Sequence, residues 1–86
     1  MPSRADVEQV VIEVLQNVSR RPIEPKPASD LVSDLGFDSL QVLEAVAELE
    51  GRFDVTIDLT EATDIRTVAQ IADRIAGLID AHETSR

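Results

Sequence analysis

Val7, Val10, Val11, Val14, Leu15 and Val18 recur at i, i+3, i+4, i+7, i+8 and i+11, the spacing that stacks side chains along one face of a helix. Valine is a modest helix former, so a strictly helical period of valines points to a buried face and not to a strand. Ser3 is placed to cap the start of this helix, and Asp6 falls in its first turn, where negative charge is favourable. Arg20 and Arg21 suit its negative end. Pro22, Pro25 and Pro27 then remove backbone donors and restrict the residues before them, which predicts a long loop. Leu31, Val32, Leu35 and Phe37 are spaced as anchors pinning that loop onto the core. Gly36 fits a tight spot ahead of the next helix, or an ordinary turn.

A second helical period runs from Ser39 to about Arg52, with Asp38 as its cap. It predicts Val42, Leu43, Val46, Leu49 and Phe53 turned inward, and Gln41, Glu44, Ala45 and Glu48 turned outward. Val55 and Ile57 alternate too briefly for a strand and are expected to plug the core from a loop. Thr60 is placed to cap a single helical turn through Asp64. Thr67 is placed to cap a last helix with Val68, Ile71, Ala72, Ile75, Leu78 and Ile79 on one face. The tail from His82 to Arg86 reads as frayed. The expected fold is all-α: a four-helix bundle of three longer helices and one short helix, with a long loop after the first. A single free-standing domain over 1–86, with its core at about 4–81, accounts for the whole pattern.

Composition narrows the function. Of 86 residues 43% are hydrophobic, enough for one small core and too many for a disordered acidic tail. The net charge is −9, and it is localised: residues 30–64 hold 10 acidic and 1 basic side chain, while both flanks are balanced. Such a surface repels nucleic acid, whose binding depends on cations displacing phosphate counterions, and attracts basic partners. Without cysteine the chain has no disulfide, thiolate nucleophile or Cys-ligated metal. No apolar run approaches the roughly 20 residues of a membrane span, and the N-terminus does not read as a signal peptide, so a cytoplasmic protein without membrane insertion is expected.

Intrinsic catalysis is not expected. The single histidine, His82, lies in the tail with no orienting neighbour, and acid pairs are what any acidic helix face offers. Asp34, Asp38 and Glu44 do not follow the order of a calcium loop, and Gly36 sits at the wrong offset for one. No catalytic residue and no metal site are assigned.

What remains is Asp-Leu-Gly-Phe-Asp-Ser-Leu at 34–40, directly ahead of the second helix. This segment resembles the signature D-x-G-x-D-S-L of the acyl carrier protein family. The resemblance extends to Leu-Val-x-Asp-Leu-Gly ending the loop (31–36), Glu-Leu-Glu-x-x-Phe-Asp-Val (48–55) and Asp-Ile-x-Thr-Val (64–68), in the family's order. It implies that Ser39 is esterified by 4′-phosphopantetheine, transferred from coenzyme A by a separate phosphopantetheinyl transferase. The arm's thiol would then carry acyl groups as thioesters, which gives a cysteine-free protein its thiol chemistry. The local physics suits this, because a serine at the first helical position stands at the positive end of the helix dipole, where free N–H groups favour a phosphodiester.

The resemblance also implies roles for neighbours. Asp38 would add contact with a basic transferase surface to its capping, Leu40 would dock into partner enzymes, and Glu44 and Glu50 would pair with partner Lys and Arg. Acyl-loading and acyl-processing enzymes with basic docking surfaces are the implied partners of a monomeric carrier. With few aromatics, Phe37 and Phe53 alone, the core is expected to open readily for an acyl chain. Gln41 stands where fatty-acid carriers place an acid, Gly51-Arg52 where they continue Glu-Glu, and Asp58-Leu59 lacks the common proline. These departures imply a specialised acyl or polyketide-like route over housekeeping fatty acid synthesis. The alternatives are an aminoacyl or D-alanyl carrier, or an unmodified acidic helical adaptor binding basic partners through 30–64.

Overall fold

The structure, a computed structural model, describes residues 3–58 and 65–84, with side chains through residue 80. Three helices make up the regular structure of the described residues: α1 (Arg4–Val18), α2 (Ser39–Phe53) and α3 (Val68–Thr84). The short turn expected from Thr60 to Asp64 lies outside the described residues. No described helix is long and apolar enough to cross a membrane.

Each helix starts where its cap lies. Ser3 and Asp6 exchange side-chain to backbone hydrogen bonds in a reciprocal capping box at α1, and Asp38 and Gln41 do the same at α2. Thr67 Oγ1 accepts from Gln70 N, while Gln70 Oε1 accepts from the N–H groups of Arg66 and Thr67. The long loop completes the start of α3: the carbonyls of Ser29 and Pro27 accept from Val68 N and Ala69 N, satisfying donors that a helix leaves unpaired. A single antiparallel bridge joins Asp30 to Thr67. Arg4 ties α1 to α3, its Nε donating to Asp73 Oδ1 at 2.8 Å and its Nη2 to the Ala69 carbonyl at 3.2 Å.

The core takes Val7, Val11, Val14 and Leu15 from α1, Leu49 from α2 and Val68, Ala72 and Ile75 from α3, with Leu31, Leu35 and Phe37 entering from the loop. Ile57 plugs it from the segment after α2, as its alternation with polar neighbours predicted. Helix α1 packs against both α2 and α3, whereas α2 and α3 barely touch among the described residues.

Five expectations are corrected. Gln41 and Ala45 face inward, at 7% and 2% exposure, and Leu43 faces outward at 48%. At about 100° per residue Leu43 lies about 160° round the helix from Ala45, so the two cannot share a face. The buried stripe is rotated toward Gln41 because its amide is satisfied in the capping box and Ala45 is small enough for close packing. Val32 is 62% exposed and anchors nothing, since the turn following Asp30 sends Leu31 and Leu35 inward and leaves Val32 on its outer side. Helical backbone in α3 continues through Thr84, past the point where the tail reads as frayed.

Candidate functional site

The segment 30–39 is a sequence of nested caps that ends in an exposed serine. Asp30 Oδ1 accepts from Val32 N and Ser33 N, both at 2.9 Å, and Asp34 Oδ2 accepts from Asp30 N at 2.7 Å. The Asp30 carbonyl accepts from Asp34 N and Leu35 N, closing one turn. Hydrogen bonding by the Ser33 N–H holds the Asp30 carboxyl below its ordinary pKa against the effect of burial, with Val32 N–H, the Ser33 hydroxyl and the Arg66 charge adding to it. Gly36 leaves that turn with φ +74°, a left-handed conformation that costs side-chain-bearing residues energy. A Cβ there would also lie 2.7 Å from an Arg21 guanidinium nitrogen. Phe37 is thereby driven into the core, its N–H donating to the Leu31 carbonyl at 2.9 Å.

Asp38 follows in extended conformation and caps α2, its Oδ1 accepting from Gln41 N at 2.8 Å while Gln41 Oε1 accepts from Asp38 N at 3.1 Å. Ser39 is the first helical residue and is exposed. Its hydroxyl and the N–H groups of Ser39 and Leu40 have no partner among the described residues, so the site combines a free alcohol with two free donors at the positive end of a helix. Such a hydroxyl is accessible to an incoming phosphoryl group, and the donors suit the anion left on it. Among the described residues no basic side chain bonds the alcohol.

Leu40 is 57% exposed, and Glu44 lies one turn further along the same outer face, exposed and with no ion pair among the described residues. Glu50 is different. Its Oε2 accepts from Ile57 N at 2.8 Å and its carbonyl accepts from Asp54 N and Val55 N, so it orders the turn after α2. Arg52 sits 3.8 Å from Glu48 on the exposed side of α2. Gln41 is buried, at 7% exposure, so it offers partners almost no surface, which leaves Gly51-Arg52 and the missing proline at Asp58-Leu59 as the departures behind a specialised route.

Ser39 also borders a cleft between α2, the loop at 30–32 and the segment ahead of α3, a cavity of about 360 Å³ lined among the described residues by Leu31, Val32, Val42, Leu43 and Ile65, with Asp30 and Arg66 at its rim. Sequence spacing did not disclose Ile65, Asp30 or Arg66 as neighbours of Ser39, because the bridge from Asp30 to Thr67 that brings them together joins residues 37 apart in the chain. The exposure of Val32 and Leu43 is explained by their place on this cleft. Among the described residues no cluster of acids and histidine could hold a metal ion.

Residues 9–75 match the family described as the phosphopantetheine attachment site. An acyl carrier protein of Sulfurovum is 51% identical over 63 residues, spanning 73% of this chain and 80% of the relative. One from Streptomyces coelicolor is 37% identical over 87 residues, covering 94% of both chains. The solved structure of a putative acyl carrier protein from Mycobacterium tuberculosis superposes with a TM-score of 0.75 at 33% identity, over 81% of this chain and 95% of that one.

Proposed function

We propose, for a chain that belongs to the acyl carrier protein family, that Ser39 is the residue that bears 4′-phosphopantetheine. The observation that carries this is the exposed hydroxyl at the first position of α2, without a partner among the described residues, as are the N–H groups beside it, and fixed there by the Asp38 cap. In the loading step Ser39 Oγ attacks the phosphorus of coenzyme A that carries the pantetheine. A new P–O bond forms as the pyrophosphate bond breaks, adenosine 3′,5′-bisphosphate leaves, and the serine proton passes to a base of the transferase. The chain supplies position and electrostatics for this step.

Once loaded, the protein carries acyl groups as thioesters and delivers them without catalysing their conversion. Asp38, Leu40 and Glu44 form the recognition face: an exposed apolar residue beside the arm with carboxylates on either side, fitted to a partner that presents a hydrophobic pocket rimmed by Lys and Arg. Each exposed pair contributes about 0–1 kcal/mol, so the charges act mainly on encounter and orientation. Glu50 belongs to this face only in part, because its carboxylate already holds the Ile57 N–H. A monomer in the cytoplasm serving a specialised acyl or polyketide-like route fits the remaining departures at Gly51-Arg52 and Asp58-Leu59. The cleft bordering Ser39 gives the acyl group somewhere to fold back.

Intact-mass measurement after incubation with coenzyme A and a broad-specificity phosphopantetheinyl transferase tests this. One phosphopantetheine is gained by the natural chain and none by Ser39→Ala. An unmodified adaptor gains nothing in either form.

A further inference from the structure

The cleft beside Ser39 is apolar on its walls and charged at one place on its rim. That charge is built, not incidental. Arg66 is fixed through its backbone, its carbonyl accepting from Leu31 N at 2.8 Å and its N–H donating to Gln70 Oε1 at 2.7 Å. Its Nε lies 3.3 Å from Asp30 Oδ2. Asp30 is in turn anchored by two backbone N–H groups on its other oxygen, which gives the guanidinium a fixed ion-pair partner. The side chain of Arg66 is 70% exposed, and its terminal nitrogens have no partner among the described residues. An arginine paired through Nε, with no partner for its terminal nitrogens among the described residues, presents the fork that matches a carboxylate.

Resting on the reading of Ser39 as the attachment point, we propose that Arg66 is a specificity-determining residue that favours short acyl cargo ending in a carboxylate. The methylene chain of such a group lies along Val42, Leu43 and Ile65, and its terminal carboxylate meets the terminal nitrogens of Arg66, with Asp30 as the positioning residue. Two observations support this occupant. At about 360 Å³ the cleft is near the lower end for small-molecule sites, which suits a short chain. Its rim cation is out of keeping with the acidic stretch beside it, since residues 30–64 carry only Arg52 as a basic residue. An alkyl chain gains nothing from that cation. The phosphodiester on Ser39 is a second source of negative charge, but the unpaired N–H groups of Ser39 and Leu40 already face it at the helix end.

The test uses ¹⁵N-labelled full-length chain in four forms: unmodified, loaded with phosphopantetheine alone, and loaded from pentanoyl- or glutaryl-coenzyme A, whose acyl groups have equal carbon number and differ in the terminal carboxylate. The Arg66 Nε–H resonance and the backbone amides of Val42 and Leu43 are followed by NMR. The glutaryl form is expected to shift Arg66 Nε–H away from its position in the phosphopantetheine form, while the pentanoyl form leaves it there. Arg66→Gln, a change at an exposed side chain, is expected to abolish the difference between the two acyl forms at Val42 and Leu43, and Asp30→Asn to reduce the Arg66 shift. Equal shifts for both acyl groups overturn the proposal. So does a shift already complete on adding phosphopantetheine, which assigns Arg66 to the arm's phosphate. Failure of Ser39 to gain mass is a separate result and removes the reading on which the proposal rests.

Discussion

Replacing Asp38 separates two properties that coincide in one side chain: the cap that holds Ser39 in place and the charge offered to a partner. Asp38 Oδ1 accepts from Gln41 N at 2.8 Å, and the Gln41 amide returns the bond to Asp38 N at 3.1 Å. Asp38→Ala removes the acceptor, leaves the Gln41 N–H unpaired and loosens a buried glutamine. The cost of losing such a cap is about 1 kcal/mol, within about 0.5–2. In a domain of this size that lowers Tm by about 4–8 °C. Asp38→Asn retains an oxygen acceptor of the same reach, and asparagine caps as well as aspartate, so stability is expected within a few tenths of a kcal/mol of the natural chain. Circular dichroism melts give the stabilities, and initial rates of phosphopantetheine transfer give the effect on loading. The asparagine variant is expected to melt with the natural chain yet load more slowly, the difference shrinking in high salt. If Asp38→Asn loses as much stability as Asp38→Ala, the capping argument for how Ser39 is presented is wrong.

Further outcomes follow from the same geometry. Gly36→Asn is expected to be tolerated better than Gly36→Ala despite its larger side chain, because asparagine accepts the left-handed conformation more readily. The alanine variant should lose about 1 kcal/mol or more, read by urea unfolding. Leu49→Ala, at a fully buried position, is expected to cost about 2–5 kcal/mol, whereas Leu40→Ala should leave the melting point unchanged and weaken partner docking alone. The Asp30 carboxyl is held below its ordinary pKa in the folded chain, so its contribution to stability is complete above the unfolded pKa, near 3.8, and is lost as pH falls through the lower folded value. Unfolding free energies of natural chain and Asp30→Asn should therefore differ above pH 3.8 and converge in more acidic solution.

The helices were legible because their caps and apolar periods agree: Ser3, Asp38 and Thr67 mark starts that the structure keeps, and Val7 to Leu15 form the face their spacing requires. Periodicity failed where a polar residue was buried. Gln41 reads as solvent-facing on hydropathy, yet its amide is satisfied by Asp38, and that single inward glutamine rotates the whole face away from Leu43. Val32 failed for a related reason, since hydrophobicity does not say which side of a tight turn a residue occupies. The position and exposure of Ser39 were legible from the motif and its cap. The cleft was not, because it depends on the bridge between Asp30 and Thr67, which brings the loop and the segment ahead of α3 together and leaves no periodic signal. Glu50 shows the same limit: its bond to Ile57 N depends on the left-handed turn at Asp54.

The most direct measurement locates the modification on the chain. Trypsin spares Arg21 and Lys26, each followed by proline, so cleavage after Arg20 and Arg52 gives one peptide containing Ser29, Ser33 and Ser39. Fragmentation of that peptide from transferase-treated protein is expected to place the whole of the added phosphopantetheine on Ser39. A loaded peptide with the group on Ser29 or Ser33, or a peptide that stays unmodified while a control carrier in the same tube is loaded, contradicts the account.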